Sequence, residues 1–145
     1  NIRLLQSSDN LGIRESRRVV GEYVLRHDDI LNSTIFDDAI VILSSTVNVH
    51  TSTKVVYTPT KTTSSYSIPY RSIVSKDFDN LWMAGKNVSA DRFAHGAVRV
   101  MTPSLAMGQA AGIAAAIACK TGVSAKNVPY ADLKKVLLDQ GAYLG

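Results

Sequence analysis

The chain has 145 residues, 46% of them hydrophobic, enough for one ordinary core organised as one or two small lobes. Sixteen Lys and Arg against twelve Asp and Glu give a net charge of +4, and the one basic cluster, Arg14, Arg17 and Arg18, is partly offset by Glu15 and Glu22 and lacks interleaved aromatics, which argues against a nucleic-acid surface. Cys119 is the only cysteine, so an intrachain disulfide is excluded and the cellular compartment stays open.

The opening NIRLLQSSDN lacks the basic, apolar, small-residue order of a secretory signal. It begins without Met, inside structured-looking sequence, so a fragment of a longer protein is expected. VVGEYVLR at 19–26 reads as a strand, with Gly21 marking a bulge or a close backbone approach. HDDIL reads as a short helical turn favoured by Asp28 and Asp29 at its N-terminus. AIVILSSTVNVH at 39–50 begins as a continuous apolar run and ends in alternation at Val47 and Val49, the pattern of one strand buried at one end and half exposed at the other. The following stretch, 51–67, has ten Ser or Thr residues around a short VVY run and reads as a hairpin or mobile excursion.

Leu81-Trp-Met-Ala84 is a short apolar run cut off by Gly85, as expected of a buried strand whose end needs an unhindered backbone. SADRFAHGAVRVM joins it to VMTPSLAMGQAAGIAAAIAC, twenty residues without a charge. Twenty residues is the length of a membrane span. However, with Thr102 as N-cap and Pro103 as first residue, the helix to Lys120 covers roughly 27 Å at ~1.5 Å per residue, short of a ~30 Å hydrocarbon core. Its strongly apolar residues are only Leu105, Ile113 and Ile117, so a buried helix is expected and no membrane span. Gly122 should close this helix in the left-handed manner, and a last amphipathic helix should start at Pro129 and end at Gly141, with Leu133, Val136, Leu137 and Tyr130 on its inner face.

HExxH, CxxC, GxSxG and GxGxxG are all missing, and His27, His50 and His95 are too scattered for a local metal motif. What remains is a strand ending at Gly85 and a helix starting at Thr102-Pro103. A helix N-terminus has unpaired N–H groups and about +0.5 of an elementary charge, suited to a phosphate, a carboxylate or the pyrimidine edge of a flavin. Spacing does not choose among these.

The run from Ile68 to Ala118, IPYRSIVSKDFDNLWMAGKNVSADRFAHGAVRVMTPSLAMGQAAGIAAAIA, together with GIRESRRVVGEYVLRHDDIL, FDDAI and VNVH before it, resembles the C-terminal part of FAD-dependent oxidoreductases whose two-dinucleotide-type FAD domain carries an inserted substrate domain. The resemblance implies an α+β piece, with residues 1–76 ending the substrate domain and 77–145 returning to the FAD domain. Its cofactor-facing residues would be Ala84, Gly85 and Lys86 near the ribityl and phosphate region. Arg99, Met101 and Thr102 would lead into a helix whose start faces the isoalloxazine. Gly108 and Gln109, with Gly112, would fall in a GQAAG stretch packed on the upstream FAD domain. Lys86 replaces a common Arg, losing the planar fork, and Asn48 replaces a common Asp. The implied partners are FAD and a small-molecule substrate, and the implied reaction is hydride transfer from a substrate C–H to flavin N5. On the substrate side, His50, Arg17 and Tyr70 are the candidates, with Arg17 alternatively pairing Glu15 or Glu22. Lacking the Gly-rich turn, the fragment alone should be inactive and bind FAD weakly or not at all. The alternative is a cofactor-free interaction module or partner subunit with a degenerate flavin-type fold.

Overall fold

The computed structural model describes residues 3, 5–10, 12, 13, 15, 17–50, 55–58 and 65–145, without the side chains of 50 and 55–58. The described elements are α1 (His27–Leu31), β1 (Ala39–Leu43), β2 (Val47–His50), β3 (Val55–Thr58), β4 (Tyr66–Pro69), α2 (Arg92–Val98), α3 (Met101–Thr121) and α4 (Tyr130–Asp139), with short 3₁₀ turns at Tyr70–Ser72, Gly85–Asn87 and Ala125–Asn127. The α+β class is as expected. β1 pairs antiparallel with β4, and β2 with β3, as two separate two-stranded sheets.

The apolar block at 39–50 is therefore two strands, not one. The reason lies at its Ser-Ser-Thr centre: Ser45 Oγ donates to the carbonyl of Ala97 at 3.0 Å and is also bonded to the Tyr66 hydroxyl, which pulls the backbone out of the β1 ladder toward α2. Within the 51–67 stretch, β3 pairs antiparallel with β2, their connection lying outside the described residues, whereas Tyr66 and Ser67 at its end are buried in β4 and belong to the core, not to an excursion. The 19–26 segment is not a strand. Its N–H groups are shared among several segments, Glu22 donating to Val74 O, Tyr23 to Arg71 O and Leu25 to Ser89 O, so only single bridges form. Gly21 does mark a close approach, since an added Cβ would lie 2.8 Å from Ser89 Cβ and 3.0 Å from Val74 O. Residues 81–84 likewise make one bridge, Val74 to Trp82, with Ser75 N donating to Leu81 O and Met83 N to Ile73 O, and of the four only Met83 is buried, so the expected buried strand is corrected to a short, largely exposed extended segment.

The linker at 89–101 contains a helix that propensity did not announce. Asp91 caps α2, its carboxylate accepting from Ala94 N, while its other oxygen accepts from His27 N at the start of α1, both at 2.8 Å. The α3 helix starts two residues before Pro103, with Val100 and not Thr102 at the N-cap and no side chain capping it. It is buried on one stripe only, Pro103, Met107, Ala110, Ala114 and Ala118, against β1 and α4. The opposite face is open: Leu105 is 75% exposed, and among the described residues nothing outside the helix's own backbone and the adjoining residues stands within 4 Å of a Cβ built at Gly108 or Gly112. A fully buried helix is thus corrected to a half-buried one. By length and composition alone α3 could cross a bilayer; here its small buried stripe forms one wall of the core. Gly122 (φ +70°) and Gly141 (φ +82°) end α3 and α4 as expected, and Leu133 and Leu137 are buried. Residues from both sides of the 76/77 join share one apolar core, including Leu25, Ile40 and Ile68 with Met107, Ala114 and Leu133.

Candidate functional site

The positive end of α3 opens onto a groove of about 400 Å³ lined by Ile13, Lys86, Arg99, Val100 and Met101. Its floor begins at the 3₁₀ turn Gly85–Asn87, where Gly85 adopts φ +72°, a left-handed conformation that favours glycine. A Cβ there would stand 3.6 Å from Ser104 Oγ, so the turn sits against the first turn of α3. Ser104 Oγ itself donates to Val100 O at 2.8 Å.

Two cations border this groove and both are held by the protein. Lys86 Nζ donates to Ile13 O at 2.9 Å. The Arg99 side chain is only 5% exposed, with Nη2 donating to the backbone carbonyl of Asn48 at 3.3 Å and lying 3.7 Å from a Glu15 carboxylate oxygen. Asn48 Oδ1, where the resemblance would place an acid, is buried and has no hydrogen-bond partner among the described residues.

Beneath the turn lies His95, fully buried on α2. Its Nε2 is 3.0 Å from the carbonyl of Lys86, which can only accept, so Nε2 carries the proton and Nδ1 is left buried without a partner. Burial is the main cause that pushes the His95 pKa below its ordinary 6.5, the charges of nearby Arg18 and Arg99 adding to it. A neutral His95 therefore fixes the backbone of the turn. In sequence His95 is one of three scattered histidines with no local motif around it. The usable signal was its position four residues before Arg99, which places both on one helical face.

The structure brings Lys86, Arg99 and Met101 together, with Gly85 against Ser104 and Thr102 exposed on the first turn of α3. Ala84 precedes the turn as its N-cap. Gly108 lies about 10 Å along the helix from Met101, from ~1.5 Å per residue, on the open face. Gln109 turns to α4, donating to Gln140 Oε1 at 3.0 Å. Of the substrate-side candidates, the side chain of His50 lies outside the described residues. Tyr70 is buried and its hydroxyl is committed, donating to Ala125 O at 2.8 Å and accepting from Trp82 Nε1 at 2.7 Å; burial, the main cause, raises its pKa. Arg17 lines a second groove with Arg18 and Ser89. It pairs with neither glutamate: Glu15 faces Arg99, and Glu22 bonds Lys126 at 2.9 Å. Among the described residues, no group of three or more His, Cys, Asp or Glu gathers as a metal site.

The family model of FAD dependent oxidoreductases matches residues 1–137. The chain belongs to that family. No curated protein and no solved structure gives a match. Membership carries a general oxidoreductase role and FAD as the family's cofactor.

Proposed function

We propose that this chain supplies the C-terminal side of the flavin site of an FAD-dependent oxidoreductase, which removes a hydride from a substrate C–H. The observation that carries the reading is the groove at the start of α3. Its helix end has no side-chain cap, Pro103 leaves only Met101 and Thr102 as first-turn N–H donors, and Lys86 and Arg99 flank the opening. Such a site is rich in donors and fixed positive charge, which fits an electron-rich ring edge or a phosphate and would repel a cation. No carboxylate is among its described lining residues, and the nearby Glu15 is drawn to Arg99.

When bound, FAD supplies the two-electron chemistry at N5. The chain's part is to hold and orient. The Gly85–Asn87 turn brings its backbone to the groove through the left-handed Gly85, and His95 keeps that turn in place through Lys86 O. The N–H groups of Met101 and Thr102, with the α3 dipole, stabilise negative charge on whatever oxygen rests against them. Lys86 adds a compact cation at the rim. In this reading Gly108 and Gly112 face the upstream part of the FAD domain, which would cover the open side of α3.

The test is the full-length protein purified under native conditions. It should carry FAD absorbance near one flavin per chain, and Lys86→Ala should lower the occupancy. A colourless full-length protein would overturn the flavin reading and leave the cofactor-free interaction module in its place.

A further inference from the structure

The groove beside Arg17 is separate from the one at α3. It has a volume of about 390 Å³ and runs between the 17–20 segment, Val24, and residues 89–90. Three features of it are unspent. Arg17 and Arg18 are exposed and, among the described residues, neither forms an ion pair, because Glu15 and Glu22 are drawn to Arg99 and Lys126. Ser89 is 2% exposed, yet its hydroxyl has no hydrogen-bond partner among the described residues. Val20 and Val24, 54% and 39% exposed, give the groove an apolar wall.

Ser89 is held rigidly. Its N–H donates to Ser72 O at 3.1 Å and its carbonyl accepts from Leu25 N at 3.0 Å. Its Cβ fits only because residue 21 is glycine, where a side chain would approach to 2.8 Å. The 17–20 strip is tied to the same wall, Val19 N donating to Asn87 O at 3.1 Å. A buried hydroxyl left unpaired has lost its water without gaining a partner, a cost that a ligand oxygen would remove.

We propose that this groove binds an organic carboxylate: the oxygens on the planar forks of Arg17 and Arg18 and the hydroxyl of Ser89, the apolar body along Val20 and Val24. Two guanidinium groups match a carboxylate in shape and charge. The valine wall selects against a bare inorganic anion, which would leave it exposed to water. The site uses none of the residues lining the α3 groove, so it stands or falls apart from the flavin reading.

The experiment is calorimetric titration of the full-length protein with acetate, hexanoate and inorganic phosphate. Hexanoate should bind more tightly than acetate or phosphate. Arg17→Ala and Arg18→Ala should each weaken hexanoate about tenfold or more, the scale of a lost hydrogen bond to a charged group. Arg17→Lys should keep part of the affinity. Ser89→Ala separates binding from folding: deleting an unpaired buried hydroxyl should leave thermal stability equal or higher while hexanoate binding falls. Phosphate binding as tightly as hexanoate, unchanged affinity in the arginine variants, or no heat with hexanoate at millimolar concentration would each overturn the assignment. Loss of FAD from the protein, with hexanoate binding intact, would count against the flavin reading and not against this one.

Discussion

Gly96 lies in α2 where the helix crosses β2, and Gly96→Ala sets two physical effects against each other. Helix propensity alone favours Ala over Gly by about 1 kcal/mol in a helix interior. Packing opposes it. An added Cβ would stand 2.6 Å from Asn48 O, 3.0 Å from Asn48 C and 3.2 Å from Val49 Cγ2. The first contact is about 0.8 Å inside the 3.4 Å where ordinary contact begins. The obstructing atom is backbone, fixed in the β2–β3 ladder by the pairing of Asn48 with Tyr57, and it also accepts from Arg99 Nη2. Relief must come from lifting α2 off β2. Overpacking of this kind costs about 1–3 kcal/mol, and a backbone neighbour puts it at the upper end, so the net loss is about 2 kcal/mol after the propensity gain. For a domain of this size that lowers Tm by about 6–8 °C. Urea unfolding followed by far-ultraviolet circular dichroism should show a lower midpoint with an unchanged slope. A neutral or stabilising Gly96→Ala would refute the α2–β2 contact on which the placement of Arg99 and His95 rests.

Gly108→Ala and Gly112→Ala, with no neighbouring segment within 4 Å among the described residues, should instead stabilise the 145-residue chain by about 1 kcal/mol each in the same assay, and should lose that gain in a longer protein whose FAD domain covers α3. Asp91→Ala removes acceptors for both Ala94 N and His27 N and should cost about 1–3 kcal/mol, measured by denaturant midpoint. Tyr70→Phe leaves the Trp82 indole N–H and the Ala125 carbonyl without their partner and should cost about 1–3 kcal/mol, with a shift in the emission of Trp82, the only tryptophan. Burial lowers the His95 pKa from 6.5, so the unfolded chain takes up a proton that the native state refuses; stability is full above about pH 6.5 and falls as pH drops. Unfolding between pH 7.5 and 5 should show this fall in the parent and not in His95→Gln, with a slope that stays below the one-proton ceiling of about 1.4 kcal/mol per pH unit.

Local steric signals were legible in the sequence. Gly122 and Gly141 end helices because only glycine takes those positive φ angles without cost, and HDDIL forms α1 with Asp29 accepting from Arg26 N at 2.8 Å. What misled the reading was set by residues far apart in the chain. The break at Ser45 depends on Ala97, and the helix cap at Asp91 serves α1 as well as α2. The half-exposure of α3 could not be read from a stripe of Ala and Gly, since small residues give almost no amphipathic contrast between its two faces.

The candidate site follows the same division. Lys86, Arg99 and Met101 became legible through the resemblance, whereas His95 and Ser89 matter because they are buried with an unpaired polar atom, a property no single residue carries in its type. The charges show why composition could not have found the second groove. In sequence Arg17 and Arg18 sit among Glu15 and Glu22 and look neutralised. Each glutamate finds a cation from the far end of the chain instead: Glu15 faces an Arg99 whose burial demands a nearby counter-charge, and Glu22 bonds a Lys126 that also donates to Lys76 O. Folding thus draws both glutamates away from the cluster, and leaves two guanidinium groups exposed beside a hydroxyl without a hydrogen-bond partner among the described residues. Restoring the balance locally is the corresponding test: Val20→Glu, on the groove wall, should give Arg17 and Arg18 an internal carboxylate and abolish hexanoate binding without loss of stability.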